Sequence, residues 1–329
     1  MHEHDIERVL KAAGPREKPP VEIERELRES LRREWRAVVA ERHGRRRTAY
    51  ALAAGVMAAA IGAWIAVPQF TAPAQAVGTI AQSTGDLRVR SGWLGRWQEA
   101  GDGRSVATGE VLATGPAGRG ALTLAGGISA RLDQSTQVRV AAADRLVIDH
   151  GAVYVDAGVD SASAAPLEIV TPAGSVRHLG TQYEVRVSDS GVRLRVREGR
   201  IEWNSGAGSV TGMAGEELTI AEDGRIGRGP VASHGEAWDW VAAAAPAIDI
   251  EGLSLAGFLG WAARELGCSI EFSSAEVAQE AAAVVLHGSV AGLAPAQALE
   301  AVFATTRMQA VVANGRIVVS GRDAQTQHD

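Results

Sequence analysis

The chain has 329 residues, room for two or three compact units, and a 46% hydrophobic share that excludes wholesale disorder. Its one cysteine, Cys268, excludes internal disulfides, zinc ribbons and paired-thiol redox motifs. The only lysines, Lys11 and Lys18, sit in no GxxxxGK loop, which excludes a P-loop nucleotide site, and a formal charge of −6 argues against direct nucleic-acid binding driven by net charge.

In chain order, residues 21–42 read as a helix that begins after Pro19 and Pro20. Ile23, Leu27, Leu31 and Trp35, followed by Val38 or Val39, form one apolar stripe on a heavily charged body. Nothing within the first 47 residues offers a core for that stripe. The expectation is contact with a partner protein; an interfacial membrane helix and a freely solvated helix are the competing readings.

Residues 48–67, TAYALAAGVMAAAIGAWIAV, carry no charged side chain. At about 1.5 Å per residue such a helix spans about 30 Å, one bilayer crossing. Arg33, Arg36, Arg42, Arg45, Arg46 and Arg47 crowd the near side and no Lys or Arg follows closely on the far side. This asymmetry predicts a cytoplasmic N-terminus, with everything beyond residue 68 across the membrane. The charge division agrees: residues 1–47 are net +3 and the remainder net −9. A buried soluble helix fits such a run poorly. A cleaved signal peptide, suggested by the A-x-A-like end of TAPAQA at 71–76, requires longer leading and apolar regions than usual. Ala51, Gly55, Ala59 and Ala63 line one small-residue face, read either as close helix packing or unwinding by an intramembrane protease, or as plain alanine richness.

From 77 to 222 the period changes to two, broken every 8 to 12 residues by Gly, Asp or Ser, which predicts an all-β domain. In VRLRVREGRIEW, Val192, Leu194 and Val196 face one way and Arg193, Arg195 and Arg197 the other. That basic ridge is expected to be a solvated outer face, with a docking surface for an acidic partner as the alternative. Trp93 and Trp97, set among glycines, read either as core plugs or as exposed anchors. Residues 223–247 read as a linker with one short helix around Trp238 and Trp240.

Residues 248–321 contain an internal repeat with an offset of 40: the segment from Gly252 aligns with that from Gly292. Leu255, Leu259, Ala262 and Leu266 form the stripe of one helix, which leads to a strand at Ile270–Phe272. Leu299, Val302 and Phe303 form the stripe of the other, for which Pro295 suits the first position. VVLHGSV between the copies looks strand-like, and Asn314-Gly315 predicts a closing hairpin. The expectation is a small α+β domain of two βαβ-like halves, followed by a tail at 322–329. Cys268 reads as a small buried hydrophobe.

No catalytic, cofactor-binding or metal-ligating constellation emerges. There is no GxSxG, HExxH or GxGxxG motif, and the histidines are scattered. His2 and His4 read as part of a disordered tip, and Ser175 and His178 point to opposite faces of an extended strand. A two-carboxylate glycosidase is not eliminated by the residues, but an enzyme is not expected.

VATGEVLATG at 106–115, DRLVIDHGAVYVDA at 144–157 and IVTPAGSVRHLGTQYEVRVSDSGVRLRVREGRIEW at 169–203 resemble the FecR family of transmembrane signal transducers. The matching positions are Thr171, Gly174, Gly180, Thr181, Tyr183, Val185, Leu194, Val196, Glu198 and Gly199. Each also has a structural reading: Gly180 and Gly199 where a strand turns or another backbone comes close, Tyr183 and Val185 on one inward face. The C-terminal repeat is similar to the secretin and TonB short N-terminal domain.

The resemblance implies an inner-membrane, anti-sigma-factor-like regulator without catalytic function. Its periplasmic part would bind the signalling domain of a TonB-dependent transporter, consistent with iron sensing. The cytoplasmic arm would control an extracytoplasmic-function sigma factor, with regulated proteolysis between. The rival reading is a membrane-anchored periplasmic structural or envelope-assembly protein without sigma-factor control.

Overall fold

A computed structural model of the chain describes residues 75–92, 94–158, 166–178, 180–206 and 208–322. The stripe Ile23, Leu27, Leu31 and Trp35, the uncharged run 48–67 with Ala51, Gly55, Ala59 and Ala63, Trp93, and the tail from 323 onward lie outside the described residues. Among the described residues no helix is long and apolar enough to cross a membrane. Pro73–Asp329 form one compact unit.

Period-two alternation produces seventeen strands in this unit's first part. They are β1 Ala76–Thr84, β2 Leu87–Ser91, β3 Gln98–Glu99, β4 Ser105–Ala107, β5 Glu110–Thr114, β6 Arg119–Leu124, β7 Ser129–Leu132, β8 Gln137–Ala142 and β9 Arg145–Asp156. There follow β10 Glu168–Thr171, β11 Gly174–His178, β12 Gln182–Ser188, β13 Gly191–Glu198, β14 Arg200–Ser205, β15 Gly208–Met213, β16 Glu216–Ile220 and β17 Ile226–Pro230. Pairing arranges them in two layers. One runs β4, β1, β6, β7, β9, β12, β13, β16, β17. The other runs β3, β2, β5, β8, β9, β10, β11, β14, β15. Among the described strands of these two layers, only the β9–β10 contact is parallel.

Strand β9 belongs to both layers. Leu146–Ile148 pair with β8, whereas Val153–Asp156 pair with β7 and β12. The change of layer occurs at Gly151, whose φ is +93° and where a Cβ would collide with Thr136. Glycine alone fits such a corner at little cost. Between the layers, Ile80, Leu112, Leu122, Ile148, Val185 and Leu194 join one continuous apolar core. Burial of each such side chain contributes about 1.5–3 kcal/mol, the main source of this part's stability.

The strands continue past the expected domain end at 222, because β17 pairs with β16 along its length. What read as a linker over 223–247 therefore holds a strand, a single-turn 3-10 helix Glu236–Trp238 and the short helix α1 Asp239–Ala243. Its polar, glycine-rich start had hidden an edge strand whose residues are mostly exposed.

The last module contains α2 Leu255–Leu266, β18 Ser269–Phe272, α3 Ala275–Ala283, α4 Pro295–Ala304, β19 Met308–Ala313 and β20 Arg316–Gly321. Ser254 caps α2, its Oγ accepting from the Gly257 N–H at 3.1 Å. Gly267 ends that helix in the left-handed region at φ +65°. The Gln297 side chain accepts from the Ala294 N–H at 3.1 Å just before Pro295 opens α4. The stripes Leu255, Leu259, Ala262 and Leu299, Val302, Phe303 meet in a second core with Ile317 and Val319.

Two features of this module differ from the sequence reading. The repeat units are αβ rather than βαβ, since VVLHGSV contributes only the single bridge Ser254↔Val285, and α3 occupies much of the chain before it. A short run that buries one flank against α2 needs no ladder on the other. The sheet order is β18, β20, β19, with β18 parallel and β19 antiparallel to β20. Asn314 and Gly315, at φ +52° and +72°, make the tight turn between the last two strands.

Candidate functional site at the docked C-terminal module

The outer face of the first layer carries Arg131 on β7, Tyr154 and Asp156 on β9, Glu184 and Arg186 on β12, and Arg193, Arg195 and Arg197 on β13. Strand alternation places them opposite the core residues, yet Arg131 and Tyr154 are each only 1% exposed. They are covered by the segment from Ser233 through α1 and by the last turn of α2.

Two adjacent residues of α2 make the clamp. Glu265 receives Arg131 in a bidentate pair, Nη1 to Oε2 at 2.6 Å and Nη2 to Oε1 at 2.8 Å, while Arg131 Nη1 also donates to the Val241 carbonyl at 2.9 Å. Arg264 turns the other way and pairs with both carboxylate oxygens of Asp156 and, at 3.1 Å, with Glu198. Gln182 Nε2 steadies Asp156 from the side at 2.9 Å. Burial opposes the charge on Arg131, but the facing Glu265 carboxylate outweighs it and the guanidinium pKa lies above its ordinary value. Arg264 shows the same balance of burial against Asp156.

Arg197 closes the end of the same helix. Its Nη1 donates to the Glu265 carbonyl at 3.0 Å, so a cation meets a carbonyl of the last turn of a helix, and its Nε donates to the Ser233 carbonyl of the covering loop at 2.6 Å. Its guanidinium also lies 5.0 Å from the Trp238 ring centre, and Trp238 meets Tyr154 edge-on at 6.0 Å. Burial pushes the Tyr154 hydroxyl pKa well above its ordinary value, so the phenol is neutral. Gly267 follows directly; a Cβ there would collide with the Ser233 carbonyl.

A second cluster lies beside the first. Glu184, fully buried, accepts from Trp240 Nε1 at 3.0 Å, from Arg186 Nε at 3.0 Å and from Arg193 Nη2 at 3.1 Å. Arg186 continues to Asp133 at 2.7 Å, and Arg195 pairs with Glu217 at 2.6 Å. The expected solvated ridge Arg193, Arg195, Arg197 is therefore corrected. Arg197 is 5% exposed beneath the C-terminal module, and its two neighbours are held in ion pairs. Arg197 meets backbone carbonyls of the covering segment, and the carboxylates that hold Arg193 and Arg195, Glu184 and Glu217, belong to the same sheet.

The motif residues supply the frame. Thr171 Oγ1 donates to the Gly174 carbonyl at 3.0 Å and closes the β10–β11 turn. A Cβ at Gly174 would strike Asn204 and the Trp203 ring, so glycine lets the indole pack beneath the turn. Gly180 and Gly199 have φ of +68° and +74°, and a Cβ at Gly199 would collide with the Gly180 carbonyl. Thr181 Oγ1 donates to the Arg200 carbonyl at 2.7 Å across the same crossing. Tyr183, Val185, Leu194 and Val196 are fully buried in the interlayer core. Glu198 alone among the motif residues reaches the seam, through Arg264.

At the rim of the seam a cleft of about 260 Å³ is lined by Ser129, Arg131, Asp156, Trp261 and Glu265 among others. Among the described residues no group of three or more His, Cys, Asp or Glu side chains is placed to hold a metal ion. Cys268 is half-buried with its thiol pKa raised by burial, which keeps it protonated. The arrangement binds one module to another; its charged groups are consumed in pairing.

A family model described as FecR protein matches residues 110–202. The match runs from the start of β5 into β14 and so includes Arg131, Tyr154, Asp156, Glu184 and Arg197, the whole sheet side of the seam. The covering residues, from Ser233 to Gly267, lie beyond the FecR match. Two crystal structures of a candidate anti-sigma factor from Parabacteroides distasonis ATCC 8503 are similar to this chain at 15% and 16% identity. They cover 64% of it and 98% and 97% of their own length, each with a TM-score of 0.34, too low to establish a shared arrangement. No curated protein matches the sequence.

Sequence reasoning did not single out Arg131, Asp156, Tyr154, Arg264 or Glu265. Arg131 and Glu265 are 134 residues apart, and each is an ordinary outward polar residue in its own element. The one available signal was Arg197, third in an arginine alternation that precedes the Glu198-Gly199 corner.

Proposed function

We propose that the chain is a single-pass inner-membrane signal transducer of the FecR type, acting through protein contacts rather than catalysis. The N-terminal arm lies in the cytoplasm and binds an extracytoplasmic-function sigma factor through Ile23, Leu27, Leu31 and Trp35. The FecR domain and the C-terminal module lie in the periplasm, where the signalling domain of a TonB-dependent transporter is the partner. The observation that carries this reading is the FecR match over the strands on which the C-terminal module docks. A contact made at the module is thereby coupled through Arg131–Glu265 and Arg264–Asp156 to the domain that follows the membrane segment.

The test is affinity purification of the full chain from its native membrane, wild type beside Trp35→Ala. A sigma factor should accompany the wild type and be lost from the variant, since removal of a buried aromatic hot spot costs about 2 kcal/mol or more of binding. Equal recovery from both would remove Trp35 from the contact, and recovery from neither would remove sigma-factor control.

A further inference from the structure

The turn that joins β2 to β3 exposes apolar side chains that the fold does not use. Leu94 is 80% exposed and Trp97 38%, with the Arg90 guanidinium 4.6 Å from the Trp97 ring centre and Arg96 exposed between them. Two glycines permit its backbone path: Gly92 has φ +62°, and a Cβ at Gly95 would collide with the Ser91 carbonyl. A protein surface that presents leucine, tryptophan and arginine together at one turn matches the chemistry of a lipid headgroup layer. There the indole sits at the polar boundary, the aliphatic chain below it and the cation at the phosphates.

Its place in the fold supports the same occupant. The chain enters the β unit at Gln75, runs out along β1, turns at Gly85 and returns along β2, so the β2–β3 turn lies at the end where the chain arrived. Two backbone hydrogen bonds tie the points together: Thr108 N–H to the Gln75 carbonyl at 2.9 Å, and Gly92 N–H to the Gly109 carbonyl at 3.1 Å. Only residues 68–74 separate Gln75 from the uncharged run 48–67. At about 3.3–3.6 Å per residue that tether keeps Gln75 within about 28 Å of the segment's end.

We propose that Leu94 and Trp97 form a second membrane contact that seats this end of the FecR-like domain on the phospholipid surface. The proposal rests on the reading of 48–67 as a membrane anchor. Docking at two points fixes the orientation of the domain, so that movement of the C-terminal module acts against a surface rather than on a free tether.

The experiment places single nitroxide labels on the full chain, with Cys268→Ala, in nanodiscs of phosphatidylethanolamine and phosphatidylglycerol. The labelled positions are Arg96→Cys in the turn, Glu222→Cys in the turn between β16 and β17 at the opposite end, and Ala59→Cys in the anchor. The ratio of oxygen to nickel-chelate accessibility reports depth. The expected order is 59 deepest, 96 several-fold above 222, and 222 in water. Adding Leu94→Asp, an exposed change the fold tolerates, should bring the ratio at 96 down to that at 222. If 96 equals 222 while 59 reports hydrocarbon, the docking is overturned and the anchor stands. If 59 reports water, the anchor reading falls and the docking with it. A water-like ratio at 96 together with a close 96–96 spin pair in discs that hold two chains would put a second copy in place of the bilayer and overturn the proposal.

Discussion

The two faces of strand β13 are built from alternate residues of the same eight-residue segment, yet they hold the molecule together by different physics. Val192, Leu194 and Val196 enter the core between the layers, where stabilisation scales with area removed from water and any side chain of similar volume serves. Arg193, Arg195 and Arg197 meet named carboxylates and carbonyls, where the gain depends on geometry and a missing partner leaves a charge stranded. The inner face tolerates substitution by shape; the outer face tolerates it only in pairs.

The largest expected effect comes from breaking the clamp on one side. Arg131→Met should leave Glu265 buried without its cation and destabilise the docked module by about 3–5 kcal/mol in urea unfolding. Arg131→Met combined with Glu265→Leu should recover most of that loss. If the double variant is as unstable as the single one, the clamp contributes by something other than charge pairing. On the inner face, Leu194→Ala should cost about 2–5 kcal/mol by transfer and cavity terms, with no partner able to rescue it. A second-site change that restored Leu194→Ala as fully as Glu265→Leu restores Arg131→Met would erase the contrast.

A smaller effect tests a titratable group on the inner face. His178 is buried, and its Nε2 accepts from the Leu167 N–H at 3.0 Å. Burial holds its pKa below the ordinary imidazole value. The unfolded chain then takes up a proton more readily than the folded one, so stability should fall as pH drops below about 6.5, by at most about 1.4 kcal/mol per pH unit. His178→Phe should flatten that part of the pH–stability curve. The smallest effect concerns Tyr183, whose hydroxyl is buried with no hydrogen-bond partner among the described residues. Tyr183→Phe should be neutral or stabilise the fold by about 1 kcal/mol or less, since it removes a desolvated polar group and breaks no bond. A clear loss of stability would show that the hydroxyl is paired in solution.

Much of the fold was legible in the residues. The alternation around Val185 and Leu194, the helix stripes Leu255–Leu259–Ala262 and Leu299–Val302–Phe303, and the Asn314-Gly315 turn each follow from a local period or a local backbone requirement. The misreadings have an equally physical origin. Strand β17 carries almost no apolar residue because it lies at an exposed edge, so its period was invisible and it read as linker. VVLHGSV has the apolar content of a strand but finds only one bridging partner, a fact that depends on where α2 and α3 pack.

The candidate site was almost wholly illegible. Arginine at position 131 and glutamate at position 265 obey the same outward polar pattern as many solvated residues, and nothing within reach of either along the chain marks it as buried. Local chemistry determined the strand alternation, the helices and the Asn314-Gly315 turn, because these depend on neighbours a few residues away. The docking of the C-terminal module on the β-layered part was decided by tertiary structure alone. A bidentate ion pair across 134 residues exists only after both surfaces are formed and water has been removed from between them.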